Sequence, residues 1–223
     1  EKTSSHEADA LFRRLATTDS SAMTVEQTIG IIARKRVPGC EETLIALALD
    51  PTAPIQMRIE AIWAMGRFDT PAIRQTLEKL DHHGEQYFKR PVDVNGKPAF
   101  SESLDTAKMM VALAKIQLKD PSGDARLQEA YDRGTATSQL TALVMLAQIG
   151  HDHPIIGQGL ATTDTAVIFG ATRAAMAADA KKYHDRLFAI RHAPFMEALL
   201  DSGLDSANLG PTLDAAIAAG ERR

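Results

Sequence analysis

Residues 55–80 read IQMRIEAIWAMGRFDTPAIRQTLEKL. In the first part of this stretch Ile55, Ile59, Ile62, Trp63 and Met65 cover most of a helical cylinder. Gln56, Arg58, Glu60 and Arg67 take what remains. A helix apolar on more than one side packs between neighbours. Thr70-Pro71 then ends one element and starts another. Threonine suits the position before a helix, and proline suits the first turn, where its missing N–H has no partner to lose. Leu77, six residues past Pro71, falls near the inward stripe of the second helix. The stretch therefore predicts a helical hairpin with a tight turn at Gly66.

The same unit recurs. A Pro followed six residues later by Leu occurs at Pro38, Pro71, Pro121, Pro154 and Pro194, with spacings of 33, 50, 33 and 40. A block with a small residue at its second place precedes the first four. These blocks are Ile32-Ala33-Arg34-Lys35, Met65-Gly66-Arg67-Phe68, Leu113-Ala114-Lys115-Ile116 and Leu146-Ala147-Gln148-Ile149, spaced 33, 48 and 33. Two markers that keep one period indicate a repeat of helical hairpins. Helices are predicted near 5–16, 24–35, 40–49, 55–67, 71–80, 104–118, 121–132, 138–149, 154–161, 164–178, 181–191, 194–202 and 211–220. Thr24 and Gln27 read as a capping box.

Asp50-Pro51, Arg58, Ala61, Met65-Gly66, Asp69, Pro71-Ala72-Ile73, Leu77 and Leu80 together resemble a HEAT-like repeat of the type also found in phycobilisome lyases. Leu146-Ala147-Gln148-Ile149-Gly150 repeats the turn. The resemblance spans residues 24–203. It implies an all-α fold, a right-handed α-solenoid of about five hairpins forming one domain over 1–223, with a capping helix near 211–220. Tetratricopeptide and ankyrin signatures are absent.

One interval is too long. The excess lies at 82–102 and contains Tyr87-Phe88-Lys89-Arg90-Pro91 and Asn95-Gly96. Asn-Gly between extended-favouring residues is a hairpin signal, because a type I′ turn needs positive φ twice. An inserted β-hairpin or ordered loop is expected there. Tyr87, Phe88, Lys89, Arg90 and Phe100 are the candidate partner-binding residues, since aromatic and Arg side chains are enriched at interfaces. The competing reading has Phe88 and Phe100 pinning the insertion to helix 104–118.

Composition narrows the function. The chain has 223 residues, 44% hydrophobic and 24% charged, with 36 alanines and only 5% aromatics, a balance that favours close-packed helices. A net charge of −4 argues against a dedicated nucleic-acid binder. The single cysteine, Cys40, excludes an intrachain disulfide framework and a cysteine-rich zinc site. No window is apolar enough for a membrane span. The polar leader Glu1-Lys2-Thr3-Ser4-Ser5 has no apolar signal core, and both a cytoplasmic and an exported protein stay open.

No catalytic or metal constellation emerges. His82-His83, His151 and His153 fall at element ends without a full ligand set. HEAT-repeat metalloenzymes carry His-Glu pairs on facing helices, and here only His6-Glu7 forms that dipeptide. Gly157-Gln158-Gly159 is too short for a phosphate loop. Lys181, Lys182, Arg186 and Arg191 alternate with Asp201, Asp205 and Asp214 and form no single field. The expectation is a non-catalytic scaffold that binds a protein or peptide through its concave helical surface or the insertion, with no cofactor, metal or nucleic acid. The alternatives are a small-molecule or cofactor-handling protein of the bilin-lyase kind and a HEAT-like DNA-lesion enzyme.

Overall fold

A computed structural model describes Ala10 and residues 22–88, 102–201 and 208–221. Among the described residues there is no strand. The helices are α1 (Ala22–Lys35), α2 (Glu41–Leu49), α3 (Ile55–Met65), α4 (Pro71–Tyr87), α5 (Glu102–Gln117), α6 (Ser122–Arg133), α7 (Ala136–Ile149), α8 (Pro154–Gly159), α9 (Thr165–Arg191), α10 (Pro194–Asp201) and α11 (Leu209–Glu221). No described helix is long and apolar enough to cross a membrane.

The chain forms two compact units, Glu1–Ala130 and Tyr131–Arg223, and the division falls inside α6. In the first unit α3 is the centre. It packs on α1, α2 and α5, and α4 lies on α2 and α5. This explains its all-round apolar pattern, because eight of its eleven residues are buried. Gly66, just past α3, stands hard against α5. A methyl group there would lie 2.8 Å from the Ala114 Cα, so the small residue of the repeated block is a spacing requirement.

The turns behave as their residues dictate. The Thr70 hydroxyl accepts from the Ile73 N–H at the head of α4. Asp120 does the same ahead of Pro121, accepting from the Ser122 N–H at 2.9 Å. The first turn differs. Helix α1 begins at Ala22, so Thr24 lies inside the helix and does not open it.

In the second unit α9 packs on α7, α8, α10 and α11. It breaks at Asp179 (φ −160°, ψ 85°). The Asp179 carboxylate accepts from the Lys182 N–H at 3.0 Å and so caps the helix that restarts. Helix α7 ends on Gly150 in the left-handed region (φ 64°), with its N–H bonded to the Leu146 carbonyl. His153 is buried and its Nδ1 accepts from the Ile155 N–H at 3.2 Å, which makes it the cap of α8.

The insertion needs correction. The chain does not leave the helix at Asp81. Residues 82–87 continue α4 through a kink at His83 (φ −126°), and α5 opens at Glu102. What separates the two helices shrinks from 82–102 to 89–101 with Phe88. The inserted β-hairpin is not seen, and its Asn95-Gly96 turn lies outside the described residues, as does the helix expected at 5–16 apart from Ala10.

Candidate functional site

Helix α4 carries the features that stand out chemically. It is amphipathic, with Ile73, Thr76, Leu77, Leu80 and Gly84 buried and the opposite side in solvent. Gln75, Glu78, Lys79, His82 and His83 line an open groove together with Thr76 and Leu49 from the end of α2, with a volume of about 540 Å³. The His82 Nδ1–H donates to the Glu78 carbonyl at 2.9 Å. The His82 and His83 rings lie 6.4 Å apart and tilted. The lining offers donors, acceptors and charges of both signs.

Beneath this flank sits a buried cation. Lys115 on α5 is only 2% exposed. Its ammonium donates to Asp81 Oδ2 at 2.6 Å and to Ser122 Oγ at 3.2 Å, and Glu78 Oε1 lies 3.0 Å away. Arg126 Nε reaches Asp81 at 3.3 Å. Burial by itself would lower the Lys115 pKa. The hydrogen bonds it donates to Asp81 and Glu78 outweigh that and raise it, so the ammonium stays charged. The cluster ties α4, α5 and α6 together. Glu78, Asp81 and His82 could offer three ligand atoms to a metal ion. Both carboxylates already bond Lys115, however, so the cluster reads as an ion-pair network.

The structure places two of the five sequence-derived binding residues. The Tyr87 ring, half-buried at the end of α4, has the Lys79 ammonium 5.2 Å from its centroid. Phe88 is 4% exposed and packs inward, with the Arg58 guanidinium 4.3 Å over its ring. Lys89, Arg90 and Phe100 lie outside the described residues. The groove side chains Gln75 and Lys79 and the buried Lys115 were not singled out as site residues by the sequence, and His83 was weighed there only as a metal ligand. Lys115 left a signal nonetheless. It interrupts the apolar run Met109-Met110-Val111-Ala112-Leu113-Ala114-Lys115-Ile116, and a lysine so placed needs acidic partners.

The basic stretch near the C-terminus is engaged in its own unit. Lys182 pairs with Asp152, which also accepts from the Tyr183 hydroxyl at 2.7 Å, and Arg191 pairs with Asp214 at 2.7 Å.

No family model matches this chain, and no curated protein or solved structure matches it either.

Proposed function

We propose that this protein is a non-catalytic scaffold that binds a protein or peptide partner, built from HEAT-like hairpins stacked as a right-handed α-solenoid. One observation carries the reading. The solvent flank of α4 borders an open groove and leads directly into segment 89–101. Gln75, Lys79, His82 and His83 point outward, free of any role in the core. With Glu78 they give the groove charges of both signs and hydrogen-bonding groups, which suit a polypeptide better than a lipid or a polyanion. The hairpin part of the proposal is supported by the order of packing in the first unit, where α1, α3 and α5 follow one another and α2 lies beside α4.

The test is crosslinking from defined positions. A photoreactive phenylalanine is placed at Gln75 or His83, with Glu197 as an exposed control in the other unit. The expected result is one and the same protein captured from both groove positions and not from the control. The purified pair should then lose affinity at least tenfold when Lys79 becomes Glu. Replacing 89–101 by a Gly/Ser linker measures the share of that segment. No crosslink from either groove position would overturn the reading.

A further inference from the structure

The charges at the rim of the α4 groove do not cancel. Among the described residues that line it, Glu78 is the one acid, and Lys79 stands beside it with His82 and His83. The Glu78 carboxylate is spent already. Its Oε1 lies 3.0 Å from the buried Lys115 ammonium, and its Oε2 lies 3.4 Å from His82 Nδ1. Asp81, below the rim, is held by Lys115 at 2.6 Å and by Arg126 at 3.3 Å. Glu85, further along α4, faces Lys108 at 3.8 Å. Lys79 has no acid partner among the described residues. It is exposed, and its ammonium lies 5.2 Å from the centroid of the half-buried Tyr87 ring. A cation–π contact of this kind steadies a long side chain without neutralising its charge.

The rest of the lining suits a chain that brings the missing charge. The Thr76 hydroxyl donates to the Ala72 carbonyl at 2.8 Å, so it is used up within α4. With Leu49 it leaves a largely apolar floor. Gln75 and His83 are exposed and carry the N–H donors and the acceptors that meet peptide groups. A single ammonium with Glu78 close by does not match a dense polyanion. It matches a carboxylate set among apolar and amide groups along a chain.

We propose that the α4 groove takes an acidic polypeptide segment, with an Asp or Glu of the partner paired to Lys79 and a neighbouring apolar side chain laid on Leu49 and Thr76. The proposal rests on the scaffold reading and names the class of partner. The pair formed at Lys79 stays near solvent, so it selects the partner by charge and weakens as salt is added.

Three fluorescein-labelled peptides test it, titrated with the full chain and followed by anisotropy at low and at raised sodium chloride. The first alternates Glu and Ala around a central Leu. The second carries Gln for Glu, and the third Lys for Glu. The expected result is saturable binding of the acidic peptide, about tenfold tighter than that of the Gln peptide and weaker at raised salt. Lys79→Gln should remove most of that preference. Lys79→Glu should reverse it in favour of the Lys peptide, a swap that misfolding would not produce. Lys181→Ala, in the other unit, should change nothing, and circular dichroism should show every variant folded. Equal or tighter binding of the Gln or Lys peptide by the parent chain overturns the acidic class and leaves the scaffold reading standing. Acidic binding undiminished in both Lys79 variants places the recognition elsewhere and overturns the proposal. Binding of none of the three peptides overturns it too, and the crosslinks from Gln75 and His83 then decide the scaffold reading by themselves.

Discussion

The Arg58 guanidinium, buried at 4% exposure, lies 4.3 Å over the Phe88 ring while its Nε and Nη2 both donate to the Ala48 carbonyl at 3.2 Å. One side chain on α3 thus closes the end of α2 and pins the chain leaving α4. Burial lowers the Arg58 pKa and the Asp50 charge opposes that effect. Arg58→Ala leaves the Ala48 carbonyl without this donor and Phe88 without its cover. Unfolding in urea should show a loss of about 3 kcal/mol. Arg58→Lys should lose about half as much, because it cannot fork onto one carbonyl. A double-mutant cycle with Phe88→Leu should return a coupling of about 1 kcal/mol. A coupling of zero would mean that the stacking contributes nothing.

Lys115 predicts behaviour in alkali. Its folded pKa is raised above the ordinary 10.5. Its contribution to stability is therefore complete below pH 10.5 and is lost as pH rises through the raised value. Lys115→Met should lack that alkaline loss, and Lys115→Ala should in addition leave a cavity. Melting temperatures measured between pH 8 and about 11.5 decide it. Parallel curves for the parent and Lys115→Met would show that the ion-pair network adds no alkaline dependence.

Two glycines in the first unit should respond in opposite directions. At Gly66 an added methyl meets backbone atoms of α5 at 2.8 Å, so Gly66→Ala should cost about 1–3 kcal/mol. At Gly84 nothing lies within 4 Å and the backbone is helical, so Gly84→Ala should stabilise by about 0.5–1 kcal/mol. Equal effects would show that close approach is not what selects Gly66.

Asp152 predicts behaviour in acid. The hydrogen bond from Lys182 lowers its pKa from 3.8, burial opposes this, and the Tyr183 hydroxyl lowers it further. A depressed carboxylate stabilises the fold above pH 3.8, and that contribution disappears as pH falls through the depressed value. The melting-temperature gap between the parent and Asp152→Asn should be full at pH 6 and close towards pH 2. A gap that does not change with pH would assign the effect to packing.

Much of the helical order was legible because proline, threonine and the apolar stripe mark helix starts and faces independently. Thr70-Pro71 fixes the head of α4, and the break between the two stretches of α9 shows as Asp179 following an alanine-rich run. The overrun of α4 was missed because Asp81-His82-His83-Gly84 has the composition of a turn. Its spacing told otherwise. Leu77, Leu80, Gly84 and Phe88 are all buried and follow one another at helical intervals. The groove was not legible, since exposed polar residues on a helix look alike until a neighbour such as Leu49 shapes the space beside them.

The break at Asp179 also bears on how this chain can change length. The phase of an unbroken helix is set from its first turn, so one added residue rotates everything downstream by about 100°. In α9 the stretch after Asp179 takes its start from its own cap, and Ala180, His184 and Arg191 are placed by contact with α11. A residue inserted just before Asp179 would lengthen a bend and leave the seating of those three residues as it was. The fold thus holds an internal joint at which insertions and deletions can accumulate without scrambling the core.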